Sequence, residues 1–79
     1  MADDIAPPPQ IEAGTYQHYK GKLYEVVGVA LHSETSEPLV VYKPLYESPA
    51  EYWVRPYGMF FENVTVDGVE QSRFKRVSE

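Results

Sequence analysis

Apolar and polar positions in this chain form short segments separated by turn residues, a pattern typical of β-strands. The longest apolar segment, residues 23–32, is rich in valine, and its interior Gly28 predicts a bulge or bend. Asp67-Gly68 separates two later segments and predicts a tight hairpin turn. The predicted strands span residues 14–19, 23–32, 39–46, 52–55, 61–66 and 69–74.

One helical turn is expected between the fourth and fifth strands. Pro56 suits a first helical turn and Gly58 discourages extension, so residues 56–60 predict a single 3₁₀ turn. Five or six short antiparallel strands around it predict an all-β fold. We expect a small SH3-like barrel, because closure hides strand edges; an OB-fold barrel is the alternative, but it usually contains a longer helix. Met59, Phe60 and part of strand 23–31 are expected in the core.

The length of 79 residues allows one domain and one core. Residues 1–13 contain three consecutive prolines, which cannot enter a sheet or helix interior, and we expect them to be a disordered Pro-rich tail. Residues 14–79 are then a single β-barrel domain. Aromatic residues make up 14% of the chain, and their large side chains supply apolar contact in so small a core.

Composition limits the environment and the partners. The sequence has no cysteine, which excludes disulfides and thiolate zinc sites. No segment resembles a signal peptide or a membrane span, so we expect a cytoplasmic protein without a membrane partner. The net charge of −5 argues against sequence-independent binding to nucleic acid. A specific nucleic-acid site is not excluded, because Arg73, Lys75 and Arg76 cluster near the C-terminus.

Three motifs in the chain resemble a small bacterial family known only as a domain of unknown function, DUF1653. The motifs are Tyr16-x-His18-x-Lys20-Gly21-x-x-Tyr24, His32-Ser33-Glu34-Thr35 and Trp53-Val54-Arg55-Pro56-x-x-Met59-Phe60. The resemblance covers roughly residues 14–74. It implies a compact β-domain, but it carries no established activity, substrate or partner.

The strongest candidate site consists of aromatic residues and an arginine. Trp53 and Arg55 alternate onto one face of their strand, and Tyr42 can lie beside them on a neighbouring strand. Tryptophan and arginine together offer a cation–π contact and a fork of donors for a carboxylate, a phosphate or a base edge. The structural alternative is that Trp53 belongs to the core and that Arg55 pairs with Glu25 or Glu34.

Two histidines and a carboxylate are further candidates for the rim of this site. His32 with Glu34 nearby has the composition of an oriented general base. A zinc site would also need His18, which a straight strand would separate from His32 by about 30 Å. We therefore expect no metal and no cofactor, no catalytic residue, and a turn-capping His32.

These observations favour a noncatalytic binding module over an enzyme. Its ligand would be a peptide or a small planar or anionic molecule such as a nucleotide, recognised by Trp53, Arg55 and Tyr42 with His18, His32 or Glu34 at the rim. The first alternative is a barrel that binds RNA or single-stranded nucleic acid through aromatic stacking. The second is a small enzyme or an accessory domain of one.

Overall fold

A computed structural model describes residues 9–78. The expected Pro-rich tail lies largely in residues 1–8, outside the described residues. The elements along the chain are β1 (Gly14–His18), β2 (Leu23–Leu31), β3 (Pro38–Pro44), β4 (Trp53–Pro56), α1 (Tyr57–Phe60), β5 (Asn63–Val66), β6 (Val69–Ser72) and β7 (Phe74–Ser78). The described part contains no helix with the length and apolar character to cross a bilayer.

The strands form two antiparallel sheets, which confirms the all-β prediction. The larger sheet has the order β4-β3-β2-β1-β7, and β5 and β6 pair separately. The predicted SH3-like barrel is not confirmed, because β4 and β7 remain two open edges of the larger sheet within residues 9–78. The last predicted strand was also too long: β6 ends at Ser72, and β7 crosses to pair with β1.

Local turn chemistry agrees with the sequence prediction. The β2–β3 register shifts between Val26 and Gly28, which confirms the bulge. Asp67 and Gly68 have φ values of 52° and 79°, so both central residues of the β5–β6 turn are left-handed, as a type I′ turn requires. The helical turn is present after Pro56 but is α-helical over four residues rather than 3₁₀.

The core is mainly aromatic. Phe60 and Phe74 stack with ring centroids 4.1 Å apart and an interplanar angle of 2°. The buried cluster consists of Tyr16, Val26, Val40, Tyr42, Phe60 and Phe74. The turn of α1 points Phe60 into this cluster and leaves Met59 44% exposed, so the prediction of a core position was right for Phe60 and wrong for Met59.

The segment before β1 lies against the domain. Ile11 packs on the core, and the Tyr16 hydroxyl donates a hydrogen bond of 2.8 Å to the Glu12 carbonyl. The Arg76 guanidinium donates two hydrogen bonds to the Ala13 carbonyl, at 3.0 and 3.2 Å. Residues 11–13, which the sequence analysis assigned to the tail, therefore contact the folded domain.

Candidate functional site

The pairing of β3 with β4 brings the aromatic and arginine candidates together. Tyr42 is the register partner of Trp53, and Val40 is the partner of Arg55. Because side chains two residues apart share one face of a strand, Trp53 and Arg55 lie on the same face as buried Val40 and Tyr42. This face carries the core, and the site lies where it reaches the edge strand β4.

An open groove of about 180 Å³ is lined by Tyr24, Tyr42, Tyr46, Trp53 and Arg55. Trp53 is 41% exposed and is therefore a surface residue rather than a core residue, whereas Tyr42 is buried at 5% exposure. Arg55 is half-buried. The groove thus presents one guanidinium among four aromatic rings, and we call it the Arg55 groove.

Contacts among the aromatic side chains fix the walls of the Arg55 groove. The hydroxyls of Tyr24 and Tyr46 are 2.7 Å apart, and the Tyr24 ring meets those of Tyr46 and Tyr42 edge to face at 5.4 and 5.3 Å. The Trp53 indole N–H donates to the Ser48 hydroxyl at 3.2 Å. Such contacts hold the rings in place before any ligand arrives, which lowers the entropic cost of binding.

Tyr46 reaches the groove through an extension of the β2–β3 pairing. The Leu45 amide donates a 3.0 Å hydrogen bond to the Leu23 carbonyl, beyond the last residue of β3. Tyr46 therefore lies against Tyr24, and the Lys22 ammonium sits 4.7 Å from the centroid of the Tyr46 ring. A second cation thus stands at the rim of the groove.

Arg55 has no counterion among residues 9–78. The ion pair found there joins Arg73 to Glu62 at 3.2 Å, and neither Glu25 nor Glu34 pairs with Arg55. The Arg55 Nε is enclosed from solvent without a hydrogen-bond partner in the described part of the chain, and Cζ lies 5.7 Å from the Phe74 ring centroid. An enclosed, unpaired donor on a charged group is unfavourable for folding, and the Nε of Arg73 is enclosed in the same way.

The ionisation of neighbouring groups leaves the positive charge of Arg55 uncompensated. Burial and the hydrogen bond with Tyr46 raise the pKa of Tyr24, so its hydroxyl stays neutral at physiological pH. Burial, followed by the charges of Arg55, Arg73 and Lys20, lowers the pKa of His18.

His18 lies beside the groove rather than in it. Its ring contacts Phe74 edge to face at 4.9 Å and lies 6.5 Å from the Tyr24 ring. Its Nδ1 accepts a 3.1 Å hydrogen bond from the Lys20 amide. His18 is instead among the residues that line a separate cleft.

His32 and Glu34 belong to the β2–β3 turn and do not line the Arg55 groove. The His32 Nδ1 accepts hydrogen bonds from the amides of Glu34 and Thr35 at 3.1 and 3.3 Å. His32 therefore caps the turn, as the sequence analysis expected. Within residues 9–78, no three histidine, aspartate or glutamate side chains are grouped as a metal site requires.

Three residues of the groove and its rim were missed from the sequence: Lys22, Tyr24 and Tyr46. Tyr24 alternates with buried Val26 along β2, and that alternation was a usable signal that both face inward. Tyr46 and Lys22 carried no such signal. Both flank strands, and their positions depend on how the chain turns.

The comparisons with known proteins agree with this fold. Residues 14–76 match one family, described as "Protein of unknown function (DUF1653)". A crystal structure of a protein belonging to DUF1653 from Bordetella bronchiseptica is similar, with a TM-score of 0.81 and 35% identity over 86% of this chain and 88% of that one. No curated protein matches the chain. The family match spans every residue of the Arg55 groove.

Proposed function

Because the chain belongs to the DUF1653 family, whose description states no function, we propose from its own geometry that it is a noncatalytic binding module for acidic peptides. The Arg55 groove would hold one carboxylate group of such a peptide. The observation that carries this proposal is the Arg55 guanidinium, which has no counterion among residues 9–78, in a groove lined by Tyr24, Tyr42, Tyr46 and Trp53.

Charge favours an anion as the ligand. Aromatic grooves also accept organic cations through cation–π contacts, but a guanidinium inside the groove would repel them. A carboxylate would accept two parallel hydrogen bonds from the Arg55 fork and supply the missing counterion. The Lys22 ammonium at the rim would also attract the carboxylate.

Size favours a single side chain over a whole cofactor. Pockets for drug-sized molecules measure about 300–1,000 Å³, whereas the Arg55 groove measures about 180 Å³. A volume of that order suits one acidic side chain or one C-terminal carboxylate. The remainder of the ligand would then lie along the protein surface.

The position of the groove supports an extended peptide. Trp53 and Arg55 belong to β4, which is an edge of the five-stranded sheet. An edge strand offers unpaired backbone donors and acceptors, and an added peptide strand would bring its side chains beside the groove. Backbone pairing would supply affinity, and the Arg55 groove would select an acidic residue.

The chemistry of the lining supports binding rather than catalysis. Arginine stays protonated at physiological pH, and the raised pKa of Tyr24 keeps a phenolate nucleophile from forming there. His18 is among the residues of the other cleft and does not line the Arg55 groove.

Matched peptides test the proposal. Short acetylated and amidated peptides carrying a central glutamate or glutamine would be titrated while Trp53 fluorescence is recorded. We expect the glutamate peptide to bind about tenfold more tightly, because a charge-assisted hydrogen bond contributes about 1.5–3 kcal/mol. Arg55→Met should abolish this preference. Lys43→Met removes the same charge from the opposite face of β3 and should preserve it. Equal binding of the two peptides would contradict the proposal.

A further inference from the structure

A second, larger cleft lies between the end of β1, the β1–β2 turn, β6 and β7. Its volume of about 540 Å³ falls within the range of about 300–1,000 Å³ typical of small-molecule sites. The residues that line it are Gln17, His18, Tyr19, Gly21, Gln71, Ser72 and Lys75. None of them belongs to the Arg55 groove, so this cleft needs an explanation of its own.

The polar groups in this cleft are hydrogen-bond donors and one cation. Gln17 and Lys75 are register partners on one face of the β1–β7 ladder, whereas His18 shares the opposite face with Phe74, so the cation of the cleft is Lys75. The Lys75 ammonium forms no salt bridge within residues 9–78, and Ser72 and Gln71 supply a hydroxyl and an amide. No carboxylate is among the described lining residues. Such a set of donors suits a phosphate group.

An aromatic ring stands beside these donors. Tyr19 is half-buried, and its ring packs on that of His18 at 4.5 Å with an interplanar angle of 33°. The Lys20 ammonium lies 5.9 Å from the centroid of the Tyr19 ring. A ring fixed by one neighbour and lining an open cleft provides a surface on which a nucleobase can stack.

We propose that this cleft binds one nucleoside phosphate, with the phosphate at Lys75 and the base against Tyr19. The nucleoside phosphate is either a free nucleotide or one unit of single-stranded RNA or DNA, since both present the same chemistry. This inference is independent of the acidic-peptide site, because the two sites share no lining residue.

The test is an amide NMR titration of the whole chain with AMP, adenosine, inorganic phosphate and a short oligoadenylate. AMP should shift the amides of Gln17, His18 and Ser72 and bind more tightly than adenosine or phosphate alone. Lys75→Gln should weaken AMP binding about tenfold. Lys43→Gln, three strands away in the sheet, should leave it unchanged.

The remaining probes identify the source of the nucleotide and can refute the site. Tighter binding of the oligoadenylate, with an affinity that falls steeply with salt, assigns the cleft to single-stranded nucleic acid. Equal binding of AMP and oligoadenylate assigns it to a free nucleotide. Absence of shifts at millimolar AMP, or shifts that Lys75→Gln does not reduce, would overturn the inference. Arg55→Met should weaken AMP binding less than Lys75→Gln does, which separates failure of this site from failure of the Arg55 groove.

Discussion

Replacing Arg55 by methionine should stabilise the free domain while removing its anion binding. The Nε of Arg55 is enclosed and unpartnered within the described residues, and methionine retains much of the apolar stem without that donor. Relief of an unsatisfied donor contributes about 1–3 kcal/mol. Loss of the cation–π contact with Phe74, at 5.7 Å, subtracts about 0.5–1 kcal/mol. The expected net gain in the free energy of unfolding is about 1 kcal/mol.

Urea denaturation of the Arg55→Met variant measures this gain. A gain of about 1 kcal/mol corresponds to a rise of roughly 4–8 °C in Tm for a domain of this size. The transition midpoint should rise while the slope m stays constant, because the change alters stability and not the surface exposed on unfolding.

Lys43→Met is the matched control, since Lys43 is exposed on the outer face and faces Glu25 across the β2–β3 ladder. It should change stability by at most about 1 kcal/mol, in the destabilising direction. A loss of more than about 1 kcal/mol on Arg55→Met would refute the reasoning, because it would mean that Arg55 stabilises the fold and needs no ligand.

Three further predictions concern turns, core and pH. Gly21 has φ = 108°, so Gly21→Ala should lower the free energy of unfolding by about 1 kcal/mol or more. Gly28 has an ordinary φ and open space around it, so Gly28→Ala should be neutral or slightly stabilising, and thermal melts of both variants check this. Phe60→Ala should lower the free energy of unfolding by about 3–5 kcal/mol, so that circular dichroism shows a largely unfolded domain. Met59 is exposed, and Met59→Ala should lower it by less than about 1 kcal/mol. Because the pKa of His18 is lowered in the folded state, the unfolded chain binds more protons below about pH 6.5, and stability should fall as the pH drops from about 7 to 5. The urea midpoint of His18→Phe should depend less on pH over this range than that of the unmodified chain.

The glycine prediction refines what the sequence suggested about Gly28. The bulge is present, but a Cβ at Gly28 would meet nothing within 4 Å, and its φ is not left-handed. The bend therefore does not require glycine. The backbone angles distinguish Gly28, which the bulge tolerates, from Gly21, which the turn requires.

Local features of the fold were predictable because short-range chemistry determines them. Asp67-Gly68 specifies its turn through two left-handed residues, and Pro56 ends β4 immediately before the helical turn. The open edges of the larger sheet and the separate β7 were not predictable, because both depend on pairing between distant segments. His18 lies opposite Phe74 across the β1–β7 ladder, and no pattern within either segment specifies that contact.

The candidate site was partly predictable because alternation along a strand is also a short-range pattern. Alternation along β4 places Trp53 and Arg55 together, and a neighbouring strand brings Tyr42. The ion pair of Arg55 with Glu25 or Glu34, which the structural alternative required, does not form among the described residues. Glu25 lies on an exposed position of β2 between inward-facing Tyr24 and Val26, and Glu34 lies in a turn. The sequence alone could not show that Arg55 would be left without a counterion.

The most direct test of the Arg55 groove observes the arginine itself. Side-chain Nε–H resonances of arginine and the Trp53 indole resonance would be recorded while the acetylated glutamate peptide, or its glutamine counterpart, is added. We predict that the Arg55 and Trp53 signals shift together with the glutamate peptide and saturate, and that the glutamine peptide leaves them nearly unchanged. Identical shifts with both peptides, or none with either, would contradict the assignment of this groove as an anion site.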